Sequence, residues 1–451
     1  MEIEIYTPIE CKISHALANI IKPCISYKEV YYTQGLYRKE RREFDKPMIT
    51  KGKDCSYFPT GLLSRVLAFC KEKNIPVKVK GKLDRLPFGD PSLKTITLRE
   101  EQLRQIKKAT RAHRGVLVAF TGVGKTVIGM GVISSFLASN KDLTVLWLCH
   151  TKDLMYQSAD VAKKELGVRV GFIGDGKSHL TNNFTFATRQ SFIKVASSIG
   201  LDFDVVVVDE THHLSNQYTE LLKYVYAPVR IGLTATMPTD MKAILHIEGS
   251  LGPIIDTVSI EEGKERGIMA DIKIKFIKVP IDHKVKELRS YQDVYKYGVV
   301  EKQIRHQMII EKAKYHVDKN DSVLIIVNRI EHGERLLLEA QRQGLECVFA
   351  RGATEATART EIRDALNSKD IHCAIATTIW KEGINLPELN VIINAAGGRS
   401  EISTLQTIGR GLRLTETKKQ LIMYDIMDLS NRYLVEHLAE RLALYSTNEW
   451  I

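Results

Sequence analysis

The residues with the clearest chemical potential lie at positions 121–126, where an apolar run at 116–120 meets a predicted amphipathic helix that begins at Lys125. A strand, a glycine turn and a helix start form a cradle in which backbone N–H groups and the helix dipole face a phosphate. Lys125 can reach the β- and γ-phosphates, and the Thr126 hydroxyl can ligate Mg²⁺. The predicted phosphate-binding residues are Thr121, Gly122, Val123, Gly124, Lys125 and Thr126.

A pair of carboxylates supplies the second chemical signal. Asp209 and Glu210 directly follow a valine-rich run at 205–208, which predicts a buried strand. Asp209 can hold the Mg²⁺ through water, and Glu210 can orient or activate the attacking water. Without the glycine turn upstream, the same pair would be an ordinary surface feature. Together the two motifs predict hydrolysis of a nucleoside triphosphate with Mg²⁺.

Further residues extend this site. Gln102 precedes the glycine turn on a predicted helix, where its amide can contact an adenine edge in bidentate fashion. Without the glycine turn it would be a solvated helix residue. His212 follows the carboxylates and can couple the nucleotide state to neighbouring elements. Thr234 and Thr236 end the next predicted strand, and their hydroxyls can link the acidic pair to elements beyond.

Charge and composition restrict the partners. The chain has 451 residues and a net charge of +11, and residues 1–95 contain eighteen Lys/Arg against eleven Asp/Glu. A basic chain favours a polyanionic partner such as a nucleic acid. The seven cysteines are scattered singly, which argues against a zinc site and favours reduced thiols in the cytoplasm. No apolar run approaches the ~18 residues of a membrane span, so no membrane association is expected.

The periodicity predicts an α/β protein with two tandem doubly wound parallel sheets and a small basic α+β domain at the amino terminus. The expected domains are 1–90, 91–268 and 269–451. The predicted strands of the two sheets are 116–120, 143–149, 168–173, 183–187, 204–208, 229–233, 272–279, 322–327, 345–350, 371–377, 389–394 and 419–425, with helices at 331–342, 354–366 and 402–409. The pattern is irregular at 237–270 and predicts a long helical region at 284–318.

The amino-terminal region has no nucleotide motif. Strands are predicted near residues 2–6, 29–32 and 77–80, with a basic turn or arm at 38–42 and a helix that Thr60 caps. Aromatic residues alternate with its charges, and exposed rings beside basic side chains suit the stacking of nucleic-acid bases. The alternative, that these rings form the core of the domain, is left open. They are Tyr27, Tyr31, Tyr32, Tyr37, Tyr57 and Phe58.

Two arginines near the carboxyl terminus are candidates for catalysis. Arg410 lies in a glycine turn and Arg413 follows three residues later, so one helical turn could direct both the same way. An arginine presented to a γ-phosphate stabilises transition-state charge. The alternative is a basic helix end on a solvated surface.

The motifs, in this order, resemble those of the superfamily 2 helicases and translocases over about residues 95–430. The matching stretches are the phosphate-binding loop with Ala119 in place of its first glycine, 209–212, 234–236, 377–383 and 406–413. Residues 61–66, 262–268, 328–333 and 406–413 are also similar to phage UvsW-type recombination helicases. The resemblance implies two RecA-like lobes that bind ATP and Mg²⁺ and remodel branched or forked DNA.

The resemblance also implies roles for individual residues. Gly383 would contribute to nucleotide binding. The implied DNA contacts are Thr151, Lys152, Thr188, Arg189, Arg329 and Thr377. Asn385 stands where the family often has an aspartate, which leaves the coupling between the lobes at that position open.

Three other functions fit parts of this pattern. An RNA helicase shares the same motifs. The motor of a restriction system also shares these motifs, but no nuclease-like acidic cluster is evident in the sequence. A nucleotide-switched binding protein without translocation would hydrolyse ATP slowly and without stimulation by nucleic acid.

Overall fold

The computed structural model describes residues 1–34, 39–120, 122–179, 183–195, 202–213, 221–222, 225–266, 271–351, 356–377, 386, 388–397, 420–447 and 450–451. These residues fall into two compact units. The first contains residues 1–120 and 124–258, and the second contains residues 121–123 and 259–451. Each unit is built around one extended parallel sheet, as the alternating pattern predicted.

The amino-terminal region forms a five-stranded sheet in the order β5-β6-β2-β1-β7 and a separate hairpin of β3 and β4. Its elements are β1 (Glu2–Ile5), β2 (Glu10–Ile13), α1 (His15–Ile21), β3 (Ser26–Gln34), β4 (Lys39–Pro47), β5 (Thr50–Lys51), β6 (Ser56–Pro59), α2 (Leu63–Glu72) and β7 (Lys78–Lys80). The α+β prediction is confirmed. The basic arm predicted at 38–42 is wrong where the structure describes it, because residues 39–42 pair with β3 along the hairpin.

Helix α2 packs on the sheet through one apolar face, with Val66 and Cys70 buried and Leu63 and Leu67 partly buried beside them. The capping role predicted for Thr60 is wrong. Residues Thr60–Leu62 form a 3₁₀ turn ahead of α2, and the Thr60 hydroxyl donates to the Thr7 carbonyl oxygen at 3.1 Å. Thr60 therefore ties the turn to the sheet instead of starting the helix.

The 3₁₀ turn lies directly against a helix of the adjoining parallel sheet, α7 (Met241–Leu251). A β-carbon at Gly61 would lie 2.0 Å from the Glu248 carbonyl oxygen and 2.6 Å from that of Gly249. One turn further on, the Arg65 guanidinium makes a two-point ion pair with the Glu248 carboxylate at 2.7 and 3.0 Å. Only glycine allows this approach of two backbones.

We expect Gly61→Ala to lower the free energy of unfolding by about 1–3 kcal/mol, because the added methyl group meets backbone atoms that cannot rotate away. Thermal unfolding of the full chain measures the change. Ser64→Ala, an exposed substitution on α2, is the matched control and should change stability little. Equal stability of the Gly61→Ala protein would show that the two layers can separate without cost.

The first parallel sheet has eight strands in the order β11-β10-β12-β9-β13-β14-β8-β15, all parallel except β11. Its strands are β8 (Arg114–Ala119), β9 (Val145–Cys149), β10 (Val170–Gly174), β11 (Lys177–His179), β12 (Phe184–Thr188), β13 (Val205–Val208), β14 (Val229–Thr234) and β15 (Ile254–Val258). Its helices are α3 (Glu100–Ala112), α4 (Lys125–Leu137), α5 (Lys152–Leu166), α6 (Arg189–Val195) and α7, and α8 (Ile260–Glu265) follows.

Two expectations for this part of the chain are wrong. Residues 237–270 are not irregular where described, because they supply α7, β15 and α8. Helix α4 is not amphipathic: every residue from 128 to 136 is buried, because α4 packs against α3, α5 and the sheet. A helix covered on all sides shows no polar stripe in its sequence.

The second unit contains a parallel six-stranded sheet in the order β16-β21-β20-β17-β19-β18. Its strands are β16 (Asp271–Val279), β17 (Val323–Val327), β18 (Val348–Ala350), β19 (Cys373–Thr377), β20 (Val391–Asn394) and β21 (Gln420–Asp428). Its helices are α9 (His283–Lys286), α10 (Tyr291–Tyr295), α11 (Gln303–Val317), α12 (Ile330–Arg342), α13 (Ala356–Ser368) and α14 (Arg432–Thr447).

The helical region predicted at 284–318 is broken rather than continuous, with a π-helical turn at Lys296–Val300 between α10 and α11. Strand β16 forms one edge of the sheet as far as it is described, and Lys273, Lys275 and Lys278 lie along it. In the described part of the chain, no helix is long and apolar enough to cross a membrane.

Two histidines lie side by side in the second unit. The rings of His306 and His332 are 5.3 Å apart, both side chains are buried, and the cationic Arg305 and Arg335 are near them. Burial, reinforced by Arg305, lowers the pKa of His306 to about 4 and holds that of His332 well below its ordinary value. Both imidazoles are therefore neutral in the folded protein at pH 7.

The unfolded chain protonates these imidazoles below their ordinary pKa of about 6.5, whereas in the folded protein the pKa of His306 is about 4 and that of His332 also lies well below its ordinary value. We therefore expect the free energy of unfolding of the second unit to fall as pH drops through this window. His332→Leu should make the fall shallower in pH-dependent denaturation, and His283→Gln, an exposed change, should not. Identical slopes for all three proteins would contradict the assignment.

Candidate active site

The glycine turn lies between the end of β8 and the start of α4, as predicted. Gly122 and Gly124 have φ values of 110° and 89°, and Gly124 is the N-cap residue of α4. Such angles favour glycine and let the backbone N–H groups face inward. Lys125 begins the helix, and its side chain is only 10% exposed. The local geometry is that of a phosphate cradle.

Gln102 lies beside this turn. Its Nε2 atom would be 3.0 Å from a β-carbon at Gly124, and its Oε1 accepts a hydrogen bond from the Arg99 backbone N–H at 3.0 Å. The hydrogen bond between Arg99 and Gln102 is part of a capping box at the start of α3. The predicted position near the nucleotide loop is thus observed, with one end of the amide engaged by the helix start.

The acidic pair lies at the carboxyl end of β13, in the same sheet as β8. The Lys125 Nζ and the Glu210 Oε1 are 3.3 Å apart, so the fold brings the two motifs together. Glu210 has a φ of 48°, and its N–H donates to the Asp209 Oδ1 at 2.9 Å. Non-glycine residues in this left-handed region are uncommon and concentrate at functional sites.

The electrostatics at Asp209 fit a cation. The side chain is buried, and burial together with the neighbouring Glu210 carboxylate raises its pKa, against the opposing effect of Lys125. A divalent cation would favour the ionised form of this carboxylate. Asp209 and the Thr126 hydroxyl offer oxygen ligands, which Mg²⁺ prefers. In the described part of the chain no cluster of three or more metal-ligating side chains occurs.

Arg189 was expected to contact DNA, but the structure buries it beneath the acidic pair. Its side chain is 1% exposed, and its Nη2 donates to the backbone carbonyl oxygens of Asp209 at 3.4 Å and Glu210 at 3.2 Å. A buried guanidinium is not available to DNA, so that prediction is corrected. Arg189 instead holds the backbone of the acidic pair, a role for which its position after a strand gave no sequence signal.

The coupling candidates form a connected chain. The His212 Nδ1 lies 2.9 Å from the Thr234 Oγ1 and 3.4 Å from the Glu210 Oε2, and the Thr234 hydroxyl donates to the Thr236 carbonyl oxygen at 2.7 Å. Thr211 was not among the residues predicted from the sequence, and its buried hydroxyl donates to the carbonyl oxygens of Val208 at 3.2 Å and Leu233 at 2.9 Å. It joins the ends of β13 and β14.

The other predicted DNA contacts differ in exposure. Lys152 is exposed and pairs with Asp175, while Thr151 caps α5 by accepting from the Leu154 N–H at 3.3 Å. Arg329 is exposed, with its guanidinium 5.0 Å from the centre of the Tyr295 ring. The side chains of Thr188 and Thr377 are buried at the ends of β12 and β19. Thr121, Gly383, Arg410 and Arg413 lie outside the described residues.

Two family models match the chain. Residues 95–239 match "Type III restriction enzyme, res subunit", and residues 303–415 match "Helicase conserved C-terminal domain". The first segment contains the glycine turn and the acidic pair. The second contains Arg329, Thr377, Gly383, Arg410 and Arg413.

Named relatives agree with these matches. The chain is 25% identical over 393 residues to the DNA 3′-5′ translocase XPB2 of Sulfurisphaera tokodaii, covering 78% of this chain and 86% of that protein. It is 21% identical over 372 residues to the ATP-dependent DNA helicase uvsW of Enterobacteria phage T4, covering 75% and 73%.

The fold also matches solved structures. Dbp5 of S. cerevisiae, bound to RNA and ADP BeF3, superposes with a TM-score of 0.54 at 13% identity, covering 78% of this chain and 92% of that one. The two parallel-sheet α/β lobes are therefore of the RecA-like helicase type, as expected. With these two family models matched in order along one chain and with helicases and translocases among its relatives, the protein belongs to the superfamily 2 helicases and is an ATP-dependent helicase.

Proposed function

We propose that this helicase acts on DNA and remodels or unwinds branched forms such as forks and four-way junctions. The observation that carries the proposal is the connected set Lys125–Glu210–His212–Thr234. It links the phosphate cradle to the end of the neighbouring strand, so a change in the nucleotide can alter groups beyond the site. Both named relatives above act on DNA according to their names.

In this mechanism Lys125 and the backbone N–H groups of the turn bind the β- and γ-phosphates. Asp209 and Thr126 would hold Mg²⁺, which neutralises charge that develops on the phosphates. Glu210 orients the attacking water from a backbone that Arg189 and Asp209 hold in place. We assign Arg410 and Arg413 to the stabilisation of γ-phosphate charge in the transition state.

The amino-terminal hairpin is the proposed contact with the branch. Tyr27 and Phe58 are buried in the core of this region, so the base-stacking role considered for them is not available. Tyr31 and Phe44 are instead 43% and 47% exposed on the β3–β4 hairpin, with ring centres 5.6 Å apart. Arg42, also exposed, is the register partner of Tyr31. Exposed rings beside a cation suit unpaired bases.

We expect the double variant Tyr31→Ala/Phe44→Ala to lose about 10-fold or more in affinity for forked DNA, since each stacked base contributes about 1–3 kcal/mol. Its ATPase at saturating single-stranded DNA should be unchanged. Tyr6→Ala, an exposed aromatic elsewhere in the same region, is the control. Equal binding by the double variant, measured by fluorescence anisotropy, would remove the hairpin from the proposal.

The substrate class is tested by unwinding of forks and four-way junctions with and without ATP. ATPase stimulation is compared between DNA and RNA. Stronger stimulation by RNA would favour an RNA helicase, whose fold is the same. Slow hydrolysis unaffected by either would favour a nucleotide-switched binding protein. We also propose a cytoplasmic location, supported by seven cysteines that form no disulfide in the structure.

A further inference from the structure

A cavity of about 300 Å³ lies in the first unit, between the amino-terminal region and elements that flank the parallel sheet. From the amino-terminal side it is lined by Tyr27, Lys46, Met48 and Phe58. From the other side it is lined by Leu222, Arg230, His246 and Gly249. This volume is at the lower end of pockets that bind small molecules. None of these residues belongs to the nucleotide site.

Arg230 is the unusual residue in this lining. Its side chain is 1% exposed, and its guanidinium donates to the carbonyl oxygens of Leu222 at 2.7 Å and Val225 at 3.4 Å. Its Nε has no acceptor, and it forms no ion pair with a carboxylate, among the residues described. Burial, with a smaller effect from Arg114, lowers its pKa to about 9, so it is still charged at pH 7. A buried charge without a counter-ion is costly.

Arg114 increases this cost. It is the register partner of Arg230 on the adjacent parallel strand β8, so both side chains project from the same face of the sheet. Its Nη1 donates to the Pro8 carbonyl oxygen at 2.7 Å, and its buried Nη2 has no acceptor within the described ranges. Two neighbouring guanidinium groups therefore share one region without a carboxylate partner there.

The other charged groups around the cavity leave it positive. Lys46 and Lys242 both pair with Glu29, at 2.6 and 3.0 Å, and Glu10 is the carboxylate in the lining. Within the lining itself Arg230 and Lys46 are cationic and Glu10 is anionic, a local excess of +1, and the neighbouring Arg114 adds a further positive charge beside Arg230. The remaining titratable lining groups are Tyr27, Tyr57 and His246. An anion in the cavity would offset the excess.

We propose that this cavity binds a small organic anion, with its carboxylate or phosphate at Arg230 and its apolar body against Tyr27, Met48 and Phe58. The ligand would contact both the amino-terminal region and the ATP-binding sheet, and would strengthen their packing. It is thus a regulatory site, separate from the nucleotide and from nucleic acid.

The test measures thermal unfolding of the full chain with phenyl phosphate, benzoate or the neutral benzyl alcohol, for the natural protein and for Lys125→Ala. Lys125→Ala weakens anion binding at the nucleotide site. We expect one or both anions to raise Tm by several degrees in both proteins at concentrations far above Kd, and benzyl alcohol not to. A rise with benzoate alone indicates a carboxylate ligand, and a rise with phenyl phosphate alone indicates a phosphate ligand.

Arg230→Met should abolish the rise in Tm. Arg65→Met removes an ion pair between the same two layers but lies outside the cavity, so it should lower Tm without changing the rise. If Arg230→Met does not fold, Thr50→Trp decides the question, because it keeps Arg230 and fills the cavity from an exposed position in its lining. No rise with either anion, or a rise that persists when Arg230 is replaced or the cavity is filled, would overturn the proposal.

Discussion

Lys125→Ala is expected to reduce ATP turnover by at least about 10³-fold while the protein stays folded. Removing one preorganised electrostatic group from a transition state costs about 10²–10³ in rate, and Lys125 also contributes to binding the ground state. In the structure the lysine is the group that joins the two motifs, since its Nζ lies 3.3 Å from the Glu210 Oε1. In the proposed mechanism the variant would lose the phosphate contact and would also leave the Glu210 carboxylate without its lysine partner.

Steady-state ATPase at saturating DNA measures this effect, with circular dichroism to confirm the fold. Lys141→Ala is the matched control, because Lys141 is exposed and lies beyond the carboxyl end of α4, whereas Lys125 begins that helix. Turnover within a few fold of the natural protein would exclude the glycine turn as the nucleotide site. Loss of activity with loss of helical signal would indicate a structural role instead.

Asp425→Ala has the largest expected effect on stability, about 3–5 kcal/mol. This carboxylate is 0% exposed in β21. It accepts from the Arg441 Nε at 2.7 Å, the Tyr445 hydroxyl at 2.8 Å and the Ile426 N–H at 2.8 Å. Burial and the Asp425 charge raise the pKa of Tyr445, which therefore remains a donor at all ordinary pH values. Alanine would remove the acceptor that all three donors share.

Chemical denaturation measures this change, and a second variant separates its causes. Asp425→Leu/Arg441→Met removes the buried carboxylate and guanidinium together, so it should recover a large part of the lost stability. If the double variant is as unstable as the sum of the single ones, the ion pair is not the source of the effect. The result would also show whether α14 is held to the sheet by charge or by packing.

Much of the fold could be predicted because buried parallel strands are continuous apolar runs. The strands around Val205–Val208 and Val323–Val327 were predicted within one or two residues. The segment that forms α7 and β15 could not be predicted, because β15 is mostly part-exposed and its pairing with β8 is irregular. Only tertiary packing decides such a segment.

Some residues of the candidate site could likewise be predicted from the sequence, and others could not. Lys125 and the acidic pair belong to local motifs. The glycines of the turn and the apolar residues of the strand indicate the backbone geometry that these motifs need. The burial of Arg189 beneath the acidic pair depends on strands that are distant in sequence, and the family resemblance had implied a DNA contact for it instead. The contact between Arg230 and Arg114 could not be predicted for the same reason, because the two residues become neighbours only through the pairing of β14 with β8.

The outer strand β16 has a consequence for handling the protein. An unpaired strand edge is a template on which another chain can add, and polypeptides commonly prevent this with lysines placed along the rim. Lys273, Lys275 and Lys278 supply that protection here. Chemical modification of surface amines, as in dye labelling, would neutralise it and promote aggregation, so labels are better attached through an introduced cysteine elsewhere.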